Sequence, residues 1–86
     1  MKQFDFTIQD PIGIHARPAG NLVQFAKTFK DSEITISKDD KTVKATQLMK
    51  LMSMGIKCND TIRVNITGGD EEAVAKAFET FLKENL

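Results

Sequence analysis

One short stretch combines side chains that could carry out chemistry together. The segment GIHARPAG, residues 13–20, contains the only histidine of the chain, His15, followed by Arg17 and Pro18. A neutral imidazole is a nucleophile, and a guanidinium offers a planar fork of donors that matches phosphate oxygens. The residue types and their spacing predict a histidine that accepts a phosphoryl group while Arg17 binds the transferred oxygens.

The same stretch should begin a helix whose first amides lack a cap. Pro18 fits best in a first helical turn, because its missing N–H is not needed there, and this places the helix start at Ala16 or Arg17. No Ser, Thr, Asp or Asn lies between Gly13 and Pro18 to act as a cap. Uncapped amides and the helix dipole form an anion site, so we predict that Ala16, Arg17 and Pro18 bind phosphate. The dipole also favours the neutral form of the His15 ring.

Other interpretations of these residues stay open at this point. A lone histidine at a helix start is more often a surface or capping residue. Here the helix start lacks a cap and contains Arg17 and Pro18, so the sequence supports phosphoryl chemistry and a structural role equally. The single Cys58 has no second cysteine or histidine with which to share a metal. Neither a disulfide nor a zinc site is therefore predicted, and no cofactor is predicted either.

Composition excludes several classes of protein. The 86 residues suit one domain, 1–86, and contents of 41% hydrophobic and 28% charged residues are typical of an ordinary globular protein. Equal numbers of basic and acidic residues, 12 of each, remove the electrostatic attraction on which nucleic-acid binding depends. No segment has the apolar length of a membrane span or of a secretory signal. We expect a cytoplasmic monomer without nucleic-acid or membrane partners.

The elements that must position the histidine follow from apolar periodicity. Alternation predicts strands in residues 3–8, 34–36, 42–45 and 61–67, and the turn KDDK joins the middle two as a hairpin. Helices are predicted from Ala16 to about Lys30, over residues 46–55, and after Asp70, which caps the last one. The order β-α-β-β-α-β-α predicts an α+β fold in which three helices cover one face of a four-stranded antiparallel sheet.

The second helix has more apolar residues than one buried stripe can use. We predict that Leu48 and Leu51 lie in the core. Met49 and Met52 should form an exposed docking face, because methionine suits surfaces that meet several partners. Thr46 is the predicted N-cap, and Gly55 is the predicted left-handed residue after the last turn.

Several segments together form a pattern that extends along the whole chain: GIHARPAG followed by LVQFAK, and KTV leading into LMKLMSMGI. With these segments the chain resembles the HPr family, the histidine-containing phosphocarriers of the bacterial sugar phosphotransferase system. The resemblance implies an open-faced β-sandwich and a phosphoryl carrier rather than a self-sufficient enzyme. It also implies that enzyme I phosphorylates His15 on Nδ1, with phosphoenolpyruvate as the original donor, and that enzyme IIA components receive the group, with Arg17 assisting.

The resemblance also implies a partner surface on the first two helices. Its members would be Gly20, Gln24, Gln47, Leu48, Met49 and Met52. In Gram-positive members HPr kinase/phosphorylase modifies a serine at the position of Gln47, and a glutamine cannot accept phosphate. We therefore expect no regulatory phosphorylation at residue 47. Thr46 is the nearest hydroxyl, and the N-cap is its better interpretation.

Three other functions compete with that of a phosphocarrier. A regulatory HPr-like binding protein with altered or lost seryl control is the alternative within the family, but such proteins lose the histidine, which this chain retains. A nucleic-acid or peptide-binding module is the rival from another class, and zero net charge and the lack of Tyr and Trp count against RNA binding. An acylphosphatase-like hydrolase would also hold phosphate with an arginine and amides, and turnover of an acyl phosphate distinguishes it.

Overall fold

Seven elements follow one another in the order that the sequence pattern predicts. The computed structural model describes residues 1–86, and the elements are β1 (Lys2–Thr7), α1 (Ala16–Lys27), β2 (Glu33–Lys38), β3 (Lys41–Lys44), α2 (Leu48–Ser53), β4 (Thr61–Thr67) and α3 (Glu71–Asn85). One sheet contains all four strands in the spatial order β1-β4-β2-β3, and each neighbouring pair is antiparallel. The predicted β2–β3 hairpin is therefore confirmed.

The alternating residues of the two central strands form the floor of the core. β2 and β4 each turn their aliphatic side chains to the helices, and all of these are buried: Ile34, Ile36, Ile62, Val64 and Ile66. Each helix adds a fully buried side chain on the same face, which are Leu22, Leu51 and Phe78. All three helices thus cover one face of the sheet, and the predicted open-faced β-sandwich is confirmed.

The other face of the sheet is polar. The Arg63 guanidinium donates from Nε to Asp5 Oδ1 at 2.9 Å, across the β1–β4 pair. Asn65 Nδ2 donates to Thr35 Oγ1 at 3.3 Å and to Ser37 Oγ at 3.2 Å, across the β2–β4 pair. Because these groups bond to one another across the strands, this face stays solvated without exposing apolar surface.

The first helix is shorter than predicted. α1 ends at Lys27 rather than near Lys30, and both the N–H and the hydroxyl of Thr28 donate to the Phe25 carbonyl, which closes the last turn. Phe29 follows in the turn, and its ring packs edge-on against Phe25 with centroids 5.1 Å apart. An apolar residue outside the helix therefore continued the helical pattern, which is why periodicity overestimated the length.

Two predictions about α2 were wrong. Thr46 is not the N-cap, because α2 begins at Leu48 and the extended residue before it is Gln47, which makes no side-chain cap hydrogen bond. Leu48 is not in the core, since this six-residue helix buries only Leu51, and Leu48 in its first turn is 37% exposed. The prediction for Gly55 is confirmed, with φ of +64° directly after the last turn.

Two carboxylates outside the core should make the fold acid-sensitive. Hydrogen bonds from Lys38 and from the Lys57 amide lower the pKa of Asp60 below its ordinary 3.8, and Arg63 lowers the pKa of Asp5 in the same way. A carboxyl whose pKa is lower in the folded state stabilises the fold above its unfolded pKa, and this contribution is lost as pH falls through the folded value. We expect the urea midpoint to decline below about pH 4.

Asp60→Asn should make this decline shallower, because the amide cannot titrate. Asp40→Asn is the matched control, since Asp40 lies in the exposed β2–β3 turn and forms no salt bridge. The measurement is urea unfolding of the three proteins between pH 2 and 7. An acid dependence of Asp60→Asn identical to that of the unmodified chain would contradict the assignment.

Two kinds of feature are absent from the structure. No helix combines the length and the apolar character needed to cross a membrane. No group of three or more His, Cys, Asp or Glu side chains is placed to hold a metal ion.

Candidate functional site

The start of α1 presents amides that no group of the chain occupies. α1 begins at Ala16, and His15 is the N-cap, with extended backbone and no side-chain cap hydrogen bond. The first helical hydrogen bond runs from the Ala19 N–H to the His15 carbonyl at 2.9 Å, and no oxygen of the chain accepts from the amides of Ala16 and Arg17. Pro18 has no N–H, and it is buried. Two N–H donors thus lie at the positive end of a helix, directly after the imidazole.

The loop that carries His15 is held by local hydrogen bonds. Asp10 Oδ1 accepts from the Ile12 N–H at 2.9 Å, and the Asp10 carbonyl accepts from the Gly13 N–H at 2.9 Å. The Ile14 N–H donates to the Ile56 carbonyl at 3.0 Å, and the Ile14 side chain is buried. The backbone that precedes His15 is therefore fixed against the segment that follows α2.

Gly13 lets these two segments approach closely. Its φ is +81°, a backbone conformation that residues with a side chain rarely adopt. A Cβ atom at this position would lie 2.5 Å from the Ile56 carbonyl oxygen and 2.6 Å from the Lys57 Cα. The glycine that precedes the histidine in GIHARPAG is thus required by the tertiary packing of the loop.

The end of α3 reaches the same loop from the other side. The main-chain oxygen of Leu86 accepts hydrogen bonds from the amides of Gln9, at 2.5 Å, and Asp10, at 2.7 Å. Asn85 Nδ2 donates to the Phe81 carbonyl at 2.9 Å, within the last turn of the helix. The last residues of the described chain therefore lie beside His15.

These segments enclose a shallow polar cavity of about 230 Å³. Its lining residues are Asp10, His15, Arg17, Pro18, Asn21 and Asn85. Because the cavity is shallow and open to solvent, a phosphoryl group delivered from outside can reach its polar lining residues. Arg17 forms no salt bridge with any side chain of the protein, so its guanidinium is available to an anion.

The structure brings together some, but not all, of the predicted phosphate-binding residues. His15, Arg17 and Pro18 line the cavity, whereas Ala16 lies exposed at the helix start and offers only its amide. The three other lining residues, Asp10, Asn21 and Asn85, were not predicted from the sequence. Helical spacing could have revealed Asn21, which lies one turn after Arg17, but nothing local to the histidine points to Asp10 or Asn85.

The predicted partner surface lies on two helices that pack against each other, α1 and α2. On α1, Gly20 is half-buried and Gln24 is exposed. Gln47 is exposed at the start of α2, and the three apolar members are Leu48 at 37%, Met52 at 38% and Met49 at 79% exposure. The only other exposed large hydrophobic residues are Met1 and Ile12. α2 therefore holds a local apolar patch rather than one stray side chain.

Known proteins resemble this chain in both sequence and fold. The family described as the PTS HPr component phosphorylation site matches residues 2–84. The phosphocarrier protein HPr of Mycoplasma genitalium is 38% identical over 85 residues, covering 99% of this chain and 97% of that protein. The crystal structure of HPr-C-His from Thermoanaerobacter tengcongensis has a TM-score of 0.91 at 35% identity and covers 99% of this chain and 94% of that chain. The HPr dimer of that organism has a TM-score of 0.75 at 36% identity, with coverages of 98% and 95%.

Proposed function

The chain belongs to the HPr family of phosphocarrier proteins, and we propose that it carries a phosphoryl group on His15 from enzyme I to enzyme IIA components of sugar permeases. The observation that supports this most strongly is the uncapped start of α1, where the amides of Ala16 and Arg17 lie free beside the imidazole. We place the carrier in the cytoplasm, as one HPr unit over residues 1–86. A relative from Thermoanaerobacter tengcongensis is a dimer, so light scattering is the check on the monomer proposed here.

The transfer step is an in-line displacement at phosphorus. Nδ1 of His15 forms a new N–P bond as the P–N bond of the donor phosphohistidine breaks, and the donor imidazole keeps the bonding electron pair. The Ala16 and Arg17 amides and the Arg17 guanidinium bind the phosphoryl oxygens, each charge-assisted hydrogen bond contributing about 1.5 to 3 kcal/mol. Transfer to an enzyme IIA histidine is the same step in the opposite sense.

The geometry suits a carrier that works only with partners. His15 is half-exposed in a shallow cavity, so a donor and an acceptor can reach the imidazole in turn. If the site bound the phosphoryl group too strongly, transfer to the next protein would be slow. A site with few hydrogen-bond donors therefore suits a carrier. The chain therefore supplies the phosphoryl site, and the partner proteins complete the reaction.

Phosphorylation by enzyme I is the direct test. The chain incubated with enzyme I and phosphoenolpyruvate should gain one phosphoryl group by intact mass, and the label should be lost in acid, as expected of phosphohistidine. Peptide mapping at neutral pH should place it on His15. An unlabelled chain that instead hydrolyses acetyl phosphate would support the hydrolase and overturn the carrier.

Met49 should matter for docking but not for folding. Because it is 79% exposed, Met49→Ala removes little from the core, yet it removes an apolar side chain from the proposed partner surface. We expect the KM of enzyme I for this chain to rise about three- to tenfold, with an unchanged urea midpoint. Lys76→Ala, on the exposed face of α3, is the control and should leave both values unchanged. An unaltered KM for Met49→Ala would show that Met49 is not part of the partner surface.

Seryl-type regulation should be absent. Gln47 occupies the start of α2 without a hydroxyl, and Thr46 is exposed but lies before the helix. With ATP and HPr kinase we expect no phosphate on residues 46 and 47 by mass spectrometry, whereas Gln47→Ser should restore modification. Stoichiometric label on Thr46 would contradict this.

The relative in Mycoplasma genitalium is itself a phosphocarrier protein by name, which gives no support to the purely regulatory alternative.

A further inference from the structure

Asp10, an acidic residue, lines the cavity proposed to hold the phosphoryl group. It is the only acidic residue among the lining residues, and it shares the cavity with His15 and Arg17. A site built to retain an anion is expected to exclude carboxylates, because like charges repel in a partly desolvated space. The negative charge of Asp10 is therefore unfavourable for binding an anion at this site. Residues that conflict with their surroundings in this way are expected mainly at functional sites.

The carboxylate is also fixed in place. Asp10 Oδ1 accepts from the Ile12 N–H at 2.9 Å, its own amide donates to the Leu86 oxygen at 2.7 Å, and its carbonyl accepts from the Gly13 N–H. The two main-chain bonds hold the backbone of Asp10, and the bond from Ile12 holds its carboxylate. No salt bridge links Asp10 to Arg17 or to any other cation of the protein. Its charge is therefore not neutralised by a partner.

We propose that Asp10 raises the phosphoryl-transfer potential of His15 by repelling the bound group. This role rests on the proposed function, in which the N–P bond of phospho-His15 forms and breaks against a partner imidazole. The amides and Arg17 stabilise the phosphoryl oxygens, and the Asp10 charge offsets part of that stabilisation. The phospho-form then keeps enough free energy to pass its group to the next acceptor rather than retain it.

Asp10→Asn isolates the charge from the loop geometry. An asparagine oxygen can accept the same Ile12 N–H, because Asn and Asp form this local turn equally well, so only the charge is removed. Unlabelled Asp10→Asn is mixed with an equal amount of 15N-labelled unmodified chain, catalytic enzyme I and limiting phosphoenolpyruvate. Intact mass spectrometry at equilibrium gives the partition of the phosphoryl group between the two proteins.

We expect the phosphoryl group to favour Asp10→Asn about three- to tenfold, as estimated for one charge removed from a half-exposed site. The preference should shrink towards one in 1 M salt, because screening weakens the repulsion in the unmodified chain, a response that a purely structural role would not give. Asp40→Asn, which removes a charge from the distant β2–β3 turn, should partition equally with the unmodified chain.

The remaining outcomes overturn the proposal in distinguishable ways. An equal partition of Asp10→Asn shows that the carboxylate does not affect the phospho-form. A preference for the unmodified chain shows that Asp10 stabilises the phosphoryl group instead. In both cases the label on the 15N-labelled protein still supports the carrier function. No label on His15 of the unmodified chain overturns the carrier function itself and this role with it.

Discussion

His15→Ala is expected to abolish phosphorylation of the chain by enzyme I and phosphoenolpyruvate. His15 is the only histidine, so no second imidazole can take its place, and alanine has no nucleophile. Because the ring is half-exposed and makes no hydrogen bond that caps α1, the variant should fold with an unchanged urea midpoint. The measurement is intact mass after incubation with the donor, beside the unmodified chain.

Arg17→Ala is expected to slow the phosphorylation of the chain rather than abolish it. Arg17 also lines the cavity, but the amides of the helix start remain when its side chain is removed. We therefore expect the label to form about a hundredfold more slowly, a magnitude typical of removing one donor from a site that stabilises developing charge. An acid-labile label that persists in His15→Ala would defeat the assignment of the phosphorylated residue.

Gly13→Ala is expected to lower the free energy of unfolding by about 3 kcal/mol, because it combines a strained backbone with an overlap that the loop cannot relieve. At φ of +81° the new Cβ would meet the Ile56 carbonyl oxygen at 2.5 Å and the Lys57 Cα at 2.6 Å. Both neighbours are backbone atoms, so one of the two segments must move. Urea unfolding measures the change, and slower phosphorylation by enzyme I should accompany it, since the displaced loop carries His15.

Gly20→Ala provides the matched control for the unfolding measurement. Gly20 lies inside α1, and a Cβ there would meet no atom within 4 Å beyond the neighbouring backbone of its own helix. Alanine is the better helix former, so this variant should gain about 0.5 to 1 kcal/mol. If Gly13→Ala were as stable as the unmodified chain, the close approach of residue 13 to the segment after α2 could not be correct.

The sequence by itself determined the features that depend on neighbouring residues. Alternation along β2 and β4 specified which side chains enter the core, and Asp70 marked the start of α3, where its carboxylate accepts from the Ala73 amide at 3.2 Å. The absence of a capping residue before Pro18 likewise predicted the free amides at the start of α1. These predictions succeeded because periodicity, caps and proline restrictions act within one or two turns of the chain.

Predictions failed where packing competed with local preference. Leu48 was expected in the core, but α2 buries only Leu51, and Leu48 in its first turn stays 37% exposed. Phe29 continued a helical pattern beyond Lys27, because a residue in a turn can fill the same side of the core as a helix. Apolar periodicity shows that a residue can be buried, and only the surrounding elements determine whether it is.

Only the tertiary structure decided the composition of the cavity beside His15. Asn85 reaches it because the main-chain oxygen of Leu86 binds the amides of Gln9 and Asp10. No local rule of sequence predicts this contact, since it joins opposite ends of the chain through the docking of α3. His15 and the amides at the start of α1 are local and therefore visible in the sequence, whereas Asn85 joins them only through contacts that exist after folding.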